Sequence, residues 1–349
     1  MIERLRLENF KGIVRGEIEL APLTILLGAN NSGKTTILEA LFLAPNPFRK
    51  VPFIVGGGDK AINVIGELHK TLESSGFLFL LYNYTSKEAK IECKTEKDEH
   101  ILKLIREDDQ IKTICAPKSE EKGVIGSLST RDGSIFNYYA YTTTAGSINR
   151  TTGVDCPLMD NTLLLNPSLM VYAFNYLRMN WGSIVNLGIC RNAAKDASKF
   201  SNEGYLDLTM EPFIGGALSI NVYREDGSRR RLGDLGNGIQ NYIISKILYE
   251  ITQPEVLLWD DVEAHFNPRI LLDLSMWFLD LIERGRQVVL ASHSLEAVEI
   301  IARQSENKAK IYLTSIIDGR LKVREITLDE VEELRMAGID VRTMEALLI

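Results

Sequence analysis

The sequence of 349 residues has no long hydrophobic run, few cysteines and no excess of basic residues. Its longest strongly apolar stretch, residues 76–84, is far shorter than the roughly 20 residues that a transmembrane helix needs. Apolar and charged residues alternate at the start of the chain, which is not the pattern of a signal peptide. We therefore expect no membrane segment. A net charge of −7 argues against a protein that grips nucleic acid with its whole surface, while leaving room for a local basic patch.

The cysteines Cys93, Cys115, Cys156 and Cys190 are widely separated and form no C-x-x-C pair. This spacing favours free thiols in a reducing cytoplasm over disulfides or a metal site, and we expect a cytoplasmic protein. No heptad pattern is sustained anywhere, so a long coiled-coil arm is not expected.

Strand and helix patterns alternate along most of the chain, which predicts an α/β fold with a mixed and parallel β-sheet flanked by helices. Residues 76–165 instead contain short β segments broken by turns such as Asp132-Gly133, and they predict an antiparallel β-rich lobe or insertion. Residues 1–75 and 166–349 would then form one domain together. Within these regions we also predict strands at 77–82 and 170–174, and a mostly helical stretch over 176–200.

The strongest chemical signal is the sequence GANNSGKT at residues 28–35, a complete G-x-x-x-x-G-K-[ST] motif between a buried-type strand and a helix. Its glycines let the backbone curl so that N–H groups and the helix N-terminus point at phosphate oxygens. Lys34 is expected to reach the β- and γ-phosphates of ATP, and the Thr35 hydroxyl to take a Mg²⁺ position. The other predicted nucleotide-binding residues of the motif are Gly28, Asn30, Asn31, Ser32 and Gly33.

A second signal is the apolar strand Val256–Trp259, which ends in two carboxylates. Downstream of a P-loop, this is the Walker B arrangement. Asp260 would hold the Mg²⁺ shell from a neighbouring strand end, and Asp261 would polarise the attacking water as general base. The alternative is an acidic cap after a core strand, because Asn267-Pro268 starts a helix soon afterwards.

Two further elements gain meaning from their position. His293 follows a strand 33 residues beyond Asp260, where a neutral imidazole can bond the γ-phosphate and the attacking water. A glycine-rich turn at Gly236 and Gly238 opens a helix one element before Walker B. This helix N-terminus cannot reach its own P-loop, so we expect it to contact the ATP that is bound by a partner subunit.

In this order, the four elements resemble the ABC-type ATPases, and within them the SMC, RecF and OLD (overcoming lysogenization defect) heads. The opening LRLENFKG at residues 5–12 is similar to the start of an SMC-type head. The stretch DDVEAHFNP at residues 260–268 is similar to the D-E-P-E-x-H-L-H-P pattern of OLD-like ATPases. The resemblance covers about residues 1–45 and 230–300. An OLD nuclease domain would need more chain beyond residue 300.

The resemblance implies a two-lobed head that forms a homodimer around two ATP molecules, each held by one P-loop and the opposite signature helix. It extends the P-loop to Thr36 and brings Lys11 close to the nucleotide. The signature corresponds to residues Gly236, Gly238 and Gln240. The family's usual catalytic Glu is Asp261 here, which makes Glu263 a second candidate for the base. The usual signature Ser is Gly236, and no Gln between Lys34 and Gln110 offers a Q-loop.

Two functions fit these residues. The first is an ATP-hydrolysing dimer that works on, or signals about, DNA or RNA, the nucleic-acid part resting on family analogy. The second is an ATP-gated regulatory or scaffold switch with little turnover that presents a surface to a separate effector protein. Arg229, Arg230 and Arg231 could contact phosphates, although such a run is more often a solvated face. A transporter subunit is disfavoured by the SMC-like opening, and a small-molecule kinase by the signature and His293.

Overall fold

The first strands follow the alternating pattern at the start of the chain. In the computed structural model, which describes residues 1–119, 121–144, 147–151, 161–201, 203–305 and 308–342, β1 (Ile2–Phe10) pairs antiparallel with β2 (Ile13–Glu19). The further strands are β3 (Leu23–Leu27), β4 (Lys50–Val55), β5 (Gly58–Lys60), β6 (Glu88–Thr95), β7 (Glu99–Glu107), β8 (Gln110–Pro117), β9 (Lys122–Ser129), β10 (Ile135–Thr144), β11 (Ser147–Thr151), β12 (Thr162–Leu165), β13 (Tyr205–Pro212), β14 (Leu218–Arg224), β15 (Arg229–Arg231), β16 (Val256–Trp259), β17 (Gln287–Ser292), β18 (Ala309–Ile317) and β19 (Arg320–Ile326). The helices are α1 (Lys34–Leu43), α2 (Ala61–Leu68), α3 (Met170–Asn186), α4 (Ile189–Ser198), α5 (Asn237–Thr252), α6 (Pro268–Glu283), α7 (Leu295–Gln304) and α8 (Leu328–Met336).

Fourteen strands form one continuous sheet, in the order β11-β10-β9-β8-β7-β6-β1-β2-β19-β18-β3-β17-β16-β12. Its last five strands, from β18 to β12, pair parallel with one another. All residues of β3, β16 and β17 are buried, as expected for parallel strands that are covered on both faces. The predicted fold class, an α/β architecture with a mixed and parallel sheet flanked by helices, is confirmed.

The other part of this sheet is antiparallel, except that β19 pairs parallel with β2. Strands β6 to β11 form a meander, and β6 pairs with β1, so the β-rich region continues the sheet that contains the parallel strands. The turn at Asp132-Gly133 joins β9 to β10 as predicted. Strand β12 pairs with β16, which places the last residues of the predicted lobe in the parallel part of the sheet. The division into 1–75 with 166–349 and 76–165 stays a prediction.

Two strand predictions are wrong. Residues Phe77–Leu80 form a short 3-10 helix, and within the predicted strand Leu81 alone forms a bridge, to Phe10. An apolar run alone does not distinguish the two states. Residues 170–174 open helix α3. There the Asn166 side chain accepts a hydrogen bond from the Ser168 backbone N–H, and Pro167 occupies the first turn, which is a helix-start signal. The predicted helical stretch over 176–200 is two helices separated at Gly188, which adopts a left-handed conformation with φ of 72°.

The later helices lie where the apolar periodicity predicts them. Asn267 caps α6, accepting a hydrogen bond from the Ile270 backbone N–H at 3.0 Å. Ser294 caps α7 in the same way. The turns at Asp226-Gly227 and Asp318-Gly319 join antiparallel strands, as predicted.

The thiols of Cys93, Cys115 and Cys190 are buried and form no disulfide with one another, while Cys156 lies outside the described residues. In the part of the chain that the structure describes, no helix is both long and apolar enough to cross a membrane.

Candidate nucleotide site

The P-loop joins β3 to α1, and two of its glycines are required by the local geometry. A Cβ at Gly28 would lie 2.6 Å from the Thr314 carbonyl oxygen of the neighbouring strand β18. Gly33, at the N-cap of α1, has φ of 95°, a left-handed conformation that side chains rarely adopt. The turn therefore curls tightly against the sheet and leaves the N-terminus of α1 open, with no side chain capping it.

The Lys34 side chain folds back across this turn. Its ammonium donates to the carbonyl oxygens of Gly28 and Ala29, each at 2.8 Å, and it is almost fully buried. His293 Nδ1 lies 3.4 Å from the same nitrogen. The cation is thus held directly over the curled backbone, where a triphosphate would lie.

The turn opens into a cavity of about 820 Å³. It is lined by Lys11, Gly12, Asn30, Asn31, Ser32, Gly33, Lys34, Thr35, Thr36, His69, His293 and Ile316. Most residues of the predicted site therefore share one cavity, which is large enough for a nucleotide. Gly28 lies behind the turn and contributes its carbonyl group to Lys34.

The predicted metal position lies beside Thr35. The Thr35 hydroxyl donates to Asp260 Oδ2 at 3.0 Å, and the Asn166 amide donates to the same oxygen at 3.2 Å. Burial, and secondly the neighbouring Asp261 carboxylate, raise the pKa of Asp260 to about 6. A buried carboxylate next to a hydroxyl fits Mg²⁺, which prefers oxygen ligands and would supply the missing positive charge.

Replacing Asp260 by Asn is expected to stabilise the protein without nucleotide or metal. Between about pH 4 and pH 6 the folded state keeps a proton on Asp260 that the unfolded state has lost. The free energy of unfolding therefore falls as the pH rises through this window. At pH 7.5 the gain in unfolding free energy should be on the order of 3 kcal/mol, and it should be smaller at pH 5. Urea unfolding at both pH values measures it. Asn keeps an oxygen for both donors, and Asp318→Asn, at an exposed residue of the turn between β18 and β19, is the control without such a gain.

Two side chains hold His293 in place through hydrogen bonds to its backbone. Its backbone N–H donates to Glu263 Oε1 at 2.7 Å, and its carbonyl accepts from Arg342 at 2.8 Å. Burial and then the Lys34 charge lower the pKa of His293, so the imidazole is neutral near pH 7. Its Nε2 lies 3.7 Å from Asp261 Oδ1. The ring therefore bridges the P-loop lysine and the carboxylate that follows Asp260.

The two candidate bases have different surroundings. Glu263 is engaged with the His293 backbone, and its other oxygen, Oε2, is buried. The Asp261 side chain is 46% exposed and faces the imidazole edge, where water has access. This geometry favours Asp261 as the base and Glu263 as a residue that positions His293.

The predicted signature residues are not brought to the same cavity. Gly236, Gly238 and Gln240 are not among the residues that line it, and α5 begins with an exposed N-terminus that no side chain caps. The Gln240 amide donates to the Leu235 carbonyl at 2.6 Å and holds the turn together. A Cβ at Gly238 would lie 2.5 Å from the His265 carbonyl oxygen, so this turn packs against the loop after Asp260.

Four residues around the site were missed in the sequence: Glu39, His69, Asn166 and Arg342. The predicted Lys11 contacts the Glu39 carboxylate, and His69 Nε2 lies 2.7 Å from Glu39 Oε1. Glu39 is fully buried in α1, at a position that an amphipathic-helix pattern does not single out. Asn166 follows an apolar run, as Asp260 does, and this pattern was the available signal. For Arg342 no local signal exists.

Comparisons with known proteins concern the fold and the first part of the chain. The family model described as AAA ATPase domain matches residues 1–149. The chain has the architecture of an Smc head domain derived from Pyrococcus furiosus, solved with an extended coiled coil and bound to the C-terminal domain of ScpA. That match has a TM-score of 0.52 and 14% identity, and it covers 96% of this chain and 98% of that chain. The Smc head domain with a coiled coil and joint from Pyrococcus yayanosii gives 0.55 and 11%, covering 97% and 99%. The fold is that of an SMC-type ATPase head.

A curated relative is similar to the chain over a shorter stretch. The "DNA double-strand break repair Rad50 ATPase" of Methanopyrus kandleri is 40% identical over 63 residues, which are 17% of this chain and 7% of that protein. The alignment thus spans a small part of the relative's length. Among the described residues the longest helix, α3, has 17 residues.

Proposed function

We propose that the protein binds ATP with Mg²⁺ at its P-loop and hydrolyses it when a second copy covers the nucleotide. The observation that carries this proposal is the meeting of three sheet elements at the P-loop. Thr35, after β3, bonds Asp260, which follows β16. His293, after β17, lies between Lys34 and Asp261. These are the groups that phosphoryl transfer to water requires, because its catalysis is mostly positioning and charge stabilisation.

Each residue has a role that follows from its surroundings. Lys34 and the N-terminus of α1 would stabilise charge on the phosphates, and Thr35 and Asp260 would hold Mg²⁺. When bound, Mg²⁺ supplies charge neutralisation at the β- and γ-phosphate oxygens. Asp261 would accept a proton from the attacking water, and the neutral His293 ring would orient that water and the γ-phosphate.

The dimer part of the proposal is supported by the signature helix. Residues Gly236 and Gly238 lie away from their own cavity, at an exposed helix N-terminus that favours an anionic ligand. A second copy would bring this end to the open side of the P-loop. Hydrolysis would then depend on both protomers.

Gly236→Arg is expected to prevent ATP-dependent dimerisation while leaving ATP binding to the monomer unchanged. Gly236 has φ of −61° and no atom within 4 Å of a Cβ, so the protein tolerates the side chain locally. Gly238 is unsuitable because a Cβ there would meet the His265 carbonyl oxygen. The measurement is light scattering after size exclusion, with and without Mg·ATP.

Gly182→Arg is a matched control, because this exposed glycine of α3 also has open space around it. It should dimerise with ATP as the native chain does. Unchanged dimerisation of Gly236→Arg would refute the sandwich arrangement.

The wider role is proposed from the relatives. A protein named for DNA double-strand break repair shares the matched stretch, and an SMC head is solved with bound ScpA, so DNA or RNA and a separate effector protein are the proposed partners. The basic run on β15 adds little to this, because Arg229 pairs with Glu211 and Arg231 with Asp234. Adding DNA and RNA to the light-scattering experiment tests both nucleic acids.

An ATP-gated switch with little turnover is the second candidate. It is favoured by Gly236, which offers no hydroxyl at the signature, and by the short Asp261 side chain, which stays 3.7 Å from His293. In that case ATP would close the dimer and display a partner surface.

A further inference from the structure

The sheet order gives the nucleotide cavity two different ends. Strands β17 and β16, which lead to His293 and Asp260, lie on one side of β3. On its other side lie β18, then β19, β2 and β1, which bring Ile316 and the turn containing Lys11 to the cavity. If the terminal phosphate lies beside Asp260 and His293, the nucleoside of the same molecule must extend toward the opposite end.

That opposite end carries an imidazole which is fixed in place. His69 Nε2 lies 2.7 Å from both Lys11 Nζ and Glu39 Oε1. Although burial alone would raise the pKa of Glu39, Lys11 and His69 outweigh it and lower the pKa, so the carboxylate is ionised. The buried Glu39 carboxylate therefore fixes the positions of Lys11 and His69, because an unpaired buried anion would cost much free energy.

The His69 ring also packs on an aromatic neighbour. Its centroid lies 4.6 Å from that of Phe79 with an interplanar angle of 27°, and Lys11 Nζ lies 5.8 Å from the same Phe79 ring. A third of the His69 side chain remains exposed, and this residue lines the cavity. A rigid, partly exposed aromatic surface suits the flat base of a nucleotide, and the lysine beside it suits a phosphate of the same nucleotide.

We propose that His69 forms the wall on which the base of the bound nucleoside triphosphate rests, with Lys11 beside the phosphate nearest to the ribose. The proposal rests on the function proposed above and adds the nucleoside end of that site. Contact is made through the ring surface, because Nε2 is already engaged with Glu39 and Lys11. Every base has such a surface, so the wall accepts adenine and guanine alike.

The test compares nucleotide with bare triphosphate. His69→Gln removes the ring and retains a polar group that reaches Glu39, whereas His69→Phe retains a ring and loses that group. Binding of ATP, GTP and tripolyphosphate, each with Mg²⁺, is measured by titration calorimetry on the full chain. His69→Gln should weaken ATP and GTP binding by about 10-fold each and leave tripolyphosphate binding unchanged. His69→Phe should bind all three as the native chain does.

The outcomes separate this inference from the function on which it rests. Equal loss of tripolyphosphate affinity in His69→Gln, or native ATP affinity in that variant, would overturn the nucleoside wall. So would a loss in His69→Phe that equals the loss in His69→Gln. If the native chain bound neither ATP nor tripolyphosphate, the nucleotide site itself would be refuted. A loss for ATP with GTP unaffected would contradict contact through the ring surface.

Discussion

Lys34→Ala is expected to lower ATP hydrolysis by at least about 100-fold, the usual effect of removing a pre-organised donor from developing charge. ATP binding should also weaken strongly. The ammonium is the one described side-chain cation that the turn itself holds over the P-loop, through the carbonyl groups of Gly28 and Ala29. Phosphate release and nucleotide titration measure the two effects.

Lys195→Ala is the matched control for this variant. It makes the same substitution at an exposed position on α4, and it should change neither the hydrolysis rate nor the affinity for ATP. Because Lys34 is buried, thermal unfolding of Lys34→Ala must be checked as well. A folded Lys34→Ala protein with native turnover would refute the P-loop as the site.

Asp261→Asn is expected to lower the turnover rate by about 10²- to 10⁴-fold while the affinity for ATP stays within about three-fold of native. The carboxylate would act on the attacking water only in the chemical step. Glu263→Gln should lower turnover less, because the Gln carbonyl oxygen still accepts from the His293 backbone N–H. Single-turnover kinetics with saturating ATP measures both.

The same kinetics also distinguishes an ATPase from a switch. Asp261→Glu lengthens the side chain by one methylene toward the His293 ring, from which Asp261 lies 3.7 Å away. A rate close to native supports an enzyme adapted to Asp at this position. A large gain supports a switch that hydrolyses ATP slowly. A greater loss in Glu263→Gln than in Asp261→Asn would instead make Glu263 the base.

The sequence reveals those parts of the fold and site that depend on local patterns. The P-loop is visible because its glycines and Lys34 serve one short turn. The strand Val256–Trp259 is visible because both its faces are buried. The order of these elements resembles an SMC-type head, and the sheet brings Thr35 and Asp260 together across 225 residues of sequence separation.

The missed features depend on contacts between distant segments. The apolar run at 170–174 suits strand and helix equally, and α3 continues a 3-10 turn that Asn166 caps just before it. His69 gains its place from Glu39, 30 residues earlier, through packing that no pattern along the chain records. Arg342 reaches the His293 carbonyl from 49 residues away for the same reason.

The unbroken sheet has a mechanical consequence. Ten strand-to-strand steps separate β3, which carries the P-loop, from β11 at the far edge. At about 4.8 Å per step this is a lever of up to about 48 Å along the sheet, shortened in a straight line by its twist. A rotation of about 10° at the nucleotide end would swing the far edge through an arc of up to about 8 Å. Events at the triphosphate would thereby be magnified at a surface that never touches it.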